Sequence, residues 1–335
     1  MDRSLKGFVA LSFVAFAACG PPPPPEDPVL TADPPVGGAE GLSKSTVNTE
    51  IERAVAYIKN EKFDSAKEHL GKALAEQPDH PEANYYMGLS LDMLGDKKAA
   101  ETFYKKALAA DPGMVEAATN LAAMYLDDPP RPDDAIAVLA KAVEKVPDDV
   151  SLNQNLAYAY GLKKDYANAG KAYERALTKG ENKDVRFAYG VLLFEANDMP
   201  KAAEQLKKAV EQTTDAPTLV TIGRMLGKAG AYTECVRAFD EAIKSKQEPE
   251  WLVRRGTCKH ELNDEPGARS DFEAAIKVDP KYATAHYYLG MSLSLEKKSR
   301  VSAMASLEKA VKLGEGTEIG NKAKEKLKEM AKQKP

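Results

Sequence analysis

The stretch Pro81–Met114, PEANYYMGLSLDMLGDKKAAETFYKKALAADPGM, decides the fold of this chain. Its first half repeats apolar residues at Met87, Leu91 and Leu94, which is the spacing of one face of an amphipathic helix. Gly95 and the residue after it break that pattern, as a tight turn does. The first half therefore predicts one short helix that ends in a turn.

The second half of the stretch predicts a second helix. Ala100, Phe103, Tyr104 and Ala107 again follow helical spacing. The helix should end before Pro112, because the residue preceding a proline is pushed out of the α region. The whole stretch is therefore a helix-turn-helix unit.

This unit recurs about every 34 residues between residues 47 and 316. Two short helices cannot bury their apolar faces alone, so each unit needs a copy on either side. Small residues recur at the positions of Gly88 and Ala100, and large ones at the position of Tyr104. The predicted repeats are residues 47–80, 81–114, 115–149, 150–182, 183–215, 216–248, 249–282 and 283–316.

The order of small, aromatic and proline positions resembles the tetratricopeptide repeat family. The resemblance covers roughly residues 47–316, although Asn84 stands where the family pattern has an early Trp. It implies an all-α fold: a right-handed superhelical solenoid of about eight helix-turn-helix repeats. It also implies that the first helix of each repeat lines a concave surface.

A last helix is expected from Ile319 to Lys332. Ile319, Ala323, Leu327 and Met330 form its apolar stripe, and lysines make up most of the rest. A solenoid needs such a helix to cover its exposed end. Residues 317–335 are therefore predicted to be a capping helix and tail.

The fifth to seventh repeats are expected to be the least regular. Repeats four to six lack the closing proline, and the seventh carries Arg255 and Lys259 at positions that are usually apolar. Two interpretations stand side by side: a partner site, or looser packing.

The N-terminus carries an export signal. A short basic segment precedes the apolar run Phe8–Ala18, which is too short to span a bilayer as a helix. The run ends in small residues followed by Cys19, and this end resembles a bacterial lipobox with Phe16 in place of the usual Leu. The resemblance implies a lipoprotein signal peptide at 1–18 and lipidation of Cys19. An ordinary cleaved signal peptide is the alternative.

Residues 19–46 are expected to be a disordered linker. Pro21–Pro25 is a run of prolines, and the rest is rich in Pro, Gly and Ala without any helical period. Because Gly20 follows the cysteine instead of Asp, the lipoprotein resemblance implies the outer membrane, with the folded part facing the periplasm.

No catalytic residues, metal ligands or cofactor are predicted. The net charge is −4, which gives no basic footprint for nucleic acid. The histidines lack metal-ligand spacing, and the glycines occupy helix-packing positions, so we also expect no small-molecule substrate. Cys235 and Cys258 are interpreted as packed free thiols, with a mutual disulfide as the alternative in an oxidising compartment.

The predicted site is a groove for a protein or peptide partner on the inner faces of the first helices. Its aromatic side chains would anchor the partner, and its polar ones would pair with a peptide backbone. The alternative is that these residues only solvate a concave wall. The groove residues are Tyr85, Leu89, Asp92, Thr119, Asn120, Gln154, Asn155, Tyr158, Phe187, Arg224 and Tyr287.

Family members that bind a chaperone's C-terminal carboxylate do so with a clamp of lysine and asparagine. Tyr85 and Leu89 stand at the positions where those two residues would be needed. An acidic C-terminal ligand is therefore not predicted.

The leading hypothesis is a non-enzymatic, lipid-anchored scaffold that helps assemble or stabilise an envelope machine. Resemblance suggests type IV pilus pilotins and gliding-motility tetratricopeptide lipoproteins as functional types. The alternative is an accessory subunit of an enzyme of peptidoglycan or polysaccharide synthesis. A catalytic domain is not expected, because too few residues lie outside the repeats.

Overall fold

The computed structural model describes residues 43–127 and 129–332. These residues form α-helices joined by short turns, with no strand, so the all-α prediction is confirmed for the part of the chain that they cover. The predicted signal peptide, Cys19 and most of the Pro-rich linker lie outside the described residues.

The helices form two compact units that divide between Lys179 and Gly180. The helices of unit 1 are α1 Ser43–Lys59, α2 Phe63–Glu76, α3 Pro81–Met93, α4 Lys97–Ala110, α5 Val115–Leu126, α6 Pro132–Lys145, α7 Val150–Leu162 and α8 Tyr166–Ala176. The helices of unit 2 are α9 Lys183–Glu195, α10 Met199–Gln212, α11 Ala216–Lys228, α12 Tyr232–Ser245, α13 Pro249–Glu261, α14 Glu265–Val278, α15 Ala283–Leu293, α16 Arg300–Leu313 and α17 Glu318–Lys332. A short 3-10 helix, Lys297–Ser299, precedes α16.

Odd-numbered helices up to α15 are the first helices of the predicted repeats, and even-numbered helices are the second. Each first helix packs against its own second helix, and within unit 1 the first helix α1 contacts α3, α3 contacts α5, and α5 contacts α7. The first helix, α1, begins at Ser43, four residues before the predicted start of the array at residue 47.

The turn inside a repeat has a recurring local design. A residue with positive φ is followed by an aspartate that caps the second helix: Gly95 has φ 86° and the carboxylate of Asp96 accepts from the Ala99 backbone N–H at 3.2 Å. Asn263 and Asp264 repeat this arrangement before α14. Glycine and asparagine tolerate the left-handed region, and aspartate satisfies an N–H that the helix itself leaves unpaired.

Glycine in the first helix allows close contact with the second. A Cβ built on Gly88 would lie 2.8 Å from Cδ1 of Tyr104, whose side chain is fully buried. In the seventh repeat, a Cβ on Gly256 would lie 2.6 Å from Cε1 of Phe272. The large side chain of the second helix therefore occupies the space that the glycine leaves empty, as the sequence predicted for Gly88.

In the second, fourth and eighth repeats, a buried polar side chain joins the first helix to the loop that precedes it. Nδ2 of Asn84 donates to the carbonyl of Pro78 at 2.9 Å, and Nδ2 of Asn153 donates to the carbonyl of Pro147 at 2.7 Å. Nε2 of His286 makes the equivalent contact in the eighth repeat, 3.0 Å from the carbonyl oxygen six residues earlier. These residues occupy the position where the family pattern has Trp. At this position a hydrogen bond to the loop takes the place of the packing of a large side chain.

An ion network fills the irregular positions of the seventh repeat. Nε of Arg255 lies 2.9 Å from Oδ2 of Asp271, and Nη1 lies 2.7 Å from Oδ1 of Asp240. Lys259 also pairs with Asp271, at 2.9 Å. Asp271 is 3% exposed, and a buried carboxylate needs such cationic partners. The departures from the apolar pattern thus compensate one another inside the repeat.

The structure joins Cys235 and Cys258 in a disulfide, with the two Cα atoms 6.3 Å apart. The interpretation as free thiols is therefore wrong in this structure, and the alternative holds. The bond links α12 to α13, which belong to successive repeats, and both residues lie in the apolar core of unit 2. Gly227 on α11 leaves room for the sulfur atoms, because a Cβ there would lie 3.3 Å from Sγ of Cys258.

The last helix, α17, covers the end of the eighth repeat as predicted. Ala323 and Met330 are buried against α16, and Leu327 packs beside them. Tyr287 on α15 also packs against this cluster. Burial raises the pKa of the Tyr287 hydroxyl, and the nearby charge of Lys322 on α17 lowers it. The predicted groove residue Tyr287 is thus partly covered by the capping helix.

Candidate functional site

The inner faces of α3, α5 and α7 carry the predicted groove residues of unit 1. The three helices lie side by side, α3 against α5 and α5 against α7. All of the predicted side chains there are half-buried, which suits residues that are held in place but still reach the surface. They are Tyr85, Leu89 and Asp92 on α3, Thr119 and Asn120 on α5, and Gln154, Asn155 and Tyr158 on α7.

Tyr85 contacts two other aromatic rings. Its ring centroid lies 6.1 Å from that of Tyr104 and 5.0 Å from that of Tyr86. The side-chain amide of Asn120 donates to the hydroxyl of Tyr104 at 3.5 Å and also lowers the pKa of Tyr85. An amide from the next repeat therefore acts on the hydroxyls of both rings.

Carboxylates surround these rings. Burial raises the pKa of Tyr85 to about 12, and the negative charge of Glu116 adds to that effect. Burial also raises the pKa of Tyr86, with smaller contributions from Glu82 and Glu116. The pKa of Tyr104 is raised mainly by burial and then by Asp92. These shifts place the tyrosines in a partly dehydrated, negative environment.

Asp92 lies at the end of α3, where burial raises the pKa of its carboxyl and the charge of Lys97 lowers it. Lys97 pairs directly with Asp127, whose charge also acts on Asp92. Among the described residues, the Asp92 carboxylate has no hydrogen bond or ion pair of its own. The face therefore keeps an excess of negative charge.

The other predicted residues of unit 1 take different positions. Thr119 donates its hydroxyl to the carbonyl of Val115 at 2.9 Å, so its polarity is satisfied within its own helix. Gln154, Asn155 and Tyr158 lie one repeat further along, on α7. The structure thus brings Tyr85 and Asn120 together at Tyr104, and the charge of Asp92 acts on the same tyrosine.

Unit 2 carries the remaining predicted residues. Phe187 packs against the core cluster of its own unit beside Val191 and Val220, which makes this inner face largely apolar. Arg224 is half-buried on α11. Tyr287 lies against the capping helix.

Two residues of the Tyr85 cluster were not predicted from the sequence. Glu116 lies one helical turn before Asn120, so extending the inner-face row of α5 by one step would have found it. Tyr86 follows Tyr85 directly, so its position in the sequence does not match the spacing of the inner-face residues. Its ring contact with Tyr85 shows that it belongs to the cluster.

The described residues hold no group of three or more His, Cys, Asp or Glu side chains that could bind a metal ion. In the same part of the chain, no helix is long and apolar enough to cross a membrane.

Comparisons with known proteins agree with the repeat pattern. The family model described as Tetratricopeptide repeat matches residues 51–115, 121–184, 171–217 and 259–316. The chain is 27% identical over 207 residues to the Hsp70-Hsp90 organizing protein of Triticum aestivum, a match covering 57% of this chain and 34% of that protein. It is 30% identical over 119 residues to the TPR repeat-containing protein YpiA of Bacillus subtilis (strain 168), covering 35% and 28%. The chain thus spans about a third of the length of these curated relatives.

A solved structure of a tetratricopeptide repeat protein from Parabacteroides merdae is also similar. It is 14% identical with a TM-score of 0.49, and the match covers 74% of this chain and 99% of that one. The family model alone matches more than half of the sequence, and its matches lie within the helical part of the structure. The chain belongs to the tetratricopeptide repeat family.

Proposed function

We propose that the protein is a non-enzymatic scaffold that binds a protein partner on the inner faces of its first helices. The observation that carries this proposal is the cluster of Tyr85, Tyr104 and Asn120. A half-buried aromatic ring that packs against other rings, as Tyr85 does, loses little conformational freedom when it binds and therefore makes a good anchor. The membership of the chain in a family of repeat proteins is consistent with such a scaffold.

We further propose that the scaffold is a lipoprotein of the bacterial outer membrane, anchored through Cys19 and facing the periplasm. Gly20, in place of Asp after the cysteine, supports the outer membrane. The layout of the apolar run before Cys19 supports export. The disulfide between Cys235 and Cys258 also supports it, because disulfides persist in oxidising compartments.

The anchor is tested by Cys19→Ser. If Cys19 carries the lipid, the variant moves from the membrane fraction to the soluble fraction of the cell. A variant that stays in the membrane fraction after the signal has been removed contradicts the anchor.

Partner binding is tested by crosslinking and purification of the full chain from its native envelope. The variant Tyr85→Ala/Tyr158→Ala/Phe187→Ala should lose the crosslinked partner while it keeps its helix content. A matched control removes aromatic residues of the same types from second helices, Phe103→Ala/Tyr166→Ala/Tyr232→Ala. Equal loss in both variants, or in neither, contradicts an inner-face site.

The identity of the partner decides between two roles in the envelope. Secretin, pilus or motility components support the assembly of an envelope machine. Recovery of a peptidoglycan or polysaccharide synthase instead contradicts that role and favours an accessory subunit.

A further inference from the structure

The inner face of the second and third repeats carries unbalanced negative charge. We define the acidic tyrosine face as Tyr85, Tyr86, Asp92 and Glu116. Among the described residues, neither Asp92 nor Glu116 has an ion-pair partner, and the one lysine that acts on Asp92 is already paired with Asp127. The face therefore presents carboxylates beside aromatic rings without a free cation of its own.

More deeply buried carboxylates of this chain are treated differently. Glu50 is 9% exposed and contacts both Arg53, at 3.0 Å, and His69, at 2.7 Å. Asp271 is 3% exposed and contacts Arg255 and Lys259. The fold thus supplies cations where its own carboxylates need them, whereas the carboxylates of the acidic tyrosine face are left for a cation from outside.

The rings of this face suit a cation as well. A lysine or arginine side chain gains from lying on the face of a tyrosine ring, and the gain grows when the site is partly dehydrated. Tyr85 packs against the rings of Tyr86 and Tyr104, so its orientation is set before a ligand arrives. Glu116, whose charge acts on Tyr85, would pair with the same cation.

We propose that the acidic tyrosine face binds an extended basic segment of a protein partner, with one arginine or lysine side chain against Tyr85 beside Glu116 and another facing Asp92. This inference rests on the proposed scaffold function and specifies the chemistry of its partner. Charge complementarity selects this occupant, because the same carboxylates repel acidic peptides and anionic polymers. It is the opposite preference to that of the lysine-and-asparagine clamp, which takes an acidic C-terminus.

The binding test uses the full chain and a short fluorescein-labelled peptide in which arginine alternates with leucine. Fluorescence anisotropy should show saturable binding of this probe. A peptide of the same length with glutamate in place of arginine should not bind, and one with norleucine in place of arginine should bind weakly. Equal binding of the glutamate peptide overturns the proposal.

Two variants locate the site. Asp92→Asn and Glu116→Gln should each weaken binding of the arginine peptide by roughly 5- to 20-fold, the range expected for loss of one close charge pair. Glu144→Gln is the matched control, because it removes an equal charge from an exposed position on the second helix α6. Circular dichroism checks the fold, and Glu116 is exposed, so its replacement leaves the core intact. Binding that is unchanged in both variants, or lost equally in the control, overturns the proposal.

The native partner separates this inference from the scaffold function. If Asp92→Asn/Glu116→Gln still captures the partner that Tyr85→Ala/Tyr158→Ala/Phe187→Ala loses, the scaffold stands and the basic segment is wrong. If neither variant loses the partner, both proposals are wrong.

Discussion

Arg255 lies against the buried carboxylate of Asp271, with Nε of Arg255 2.9 Å from Oδ2 of Asp271. Each residue alone breaks the apolar pattern of the seventh repeat. Together they turn two unfavourable positions into one ion pair between α13 and α14. The same carboxylate also accepts Lys259, so two cations depend on it.

Removing Asp271 should therefore destabilise the protein strongly. We expect Asp271→Asn to lower the free energy of unfolding by roughly 3 kcal/mol, because it leaves partly buried cations without their carboxylate. Asp240→Asn is the control: the Asp240 side chain is 46% exposed, and we expect a loss of less than about 1 kcal/mol. Urea unfolding followed by circular dichroism gives both values. Similar losses in the two variants would show that burial does not govern this network.

Gly256 and Gly71 should respond in opposite directions to the same substitution. Gly256→Ala forces a Cβ to within 2.6 Å of Phe272, and we expect a loss of about 1–3 kcal/mol from overpacking. Gly71 lies within α2 with nothing within 4 Å of an added Cβ, so Gly71→Ala should stabilise by about 0.5–1 kcal/mol. Thermal unfolding midpoints test the pair. A stabilised Gly256→Ala variant would contradict the close contact.

The fourth repeat suggests a substitution that should stabilise the second repeat. Oδ1 of Asn153 accepts from Nε of Arg175 at 3.1 Å, whereas the equivalent Oδ1 of Asn84 is buried and has no hydrogen-bond partner among the described residues. Lys106 holds the position in the second repeat that corresponds to Arg175. We expect Lys106→Arg to raise the free energy of unfolding by about 1 kcal/mol. The control is Lys106→Arg in an Asn84→Ala background, where no gain should appear.

Alkaline pH should weaken the Tyr85 cluster. The folded pKa of Tyr85 is raised from 10.0 to about 12, so the neutral hydroxyl is favoured in the folded state. The resulting stability is fully present below pH 10 and is lost as the pH rises towards 12. When the pH rises from 9 to 11, the free energy of unfolding of Tyr85→Phe should fall by about 1 kcal/mol less than that of the unmodified chain. Guanidinium unfolding at both pH values measures this difference. Parallel losses in the two proteins would contradict the shift.

The disulfide should protect Cys235 and Cys258 from labelling by a thiol reagent. In Cys19→Ser protein unfolded without reductant, a thiol reagent should label neither Cys235 nor Cys258, and after reduction it should label both. The bond closes a loop with a sequence separation of 23, so its reduction should cost roughly 3 kcal/mol of unfolding free energy. Cys235→Ala/Cys258→Ala should lose a similar amount and no longer respond to reductant. Labelling before reduction would show that the thiols are free.

The positions of the helices could be predicted from the sequence because helix formation depends on local spacing. The apolar residues of Pro81–Met114 and the break at Gly95 predicted α3 and α4, and the structure has both. The capping helix was also predicted, from its apolar stripe, and it begins one residue earlier than expected, at Glu318. The groove residues remain predictions, since no partner has yet been bound.

The sequence by itself determined the repeat, its small and aromatic packing positions and the all-α class, because these follow from residue spacing along a single helix. Only the tertiary structure decided which irregular residues compensate one another. Arg255 and Asp271 lie on different helices, Cys235 and Cys258 lie in different repeats, and the charge of Glu116 acts on Tyr85 across a repeat boundary. Such pairings depend on how neighbouring helices pack, and the spacing of residues along one helix does not specify which residues of another helix they contact.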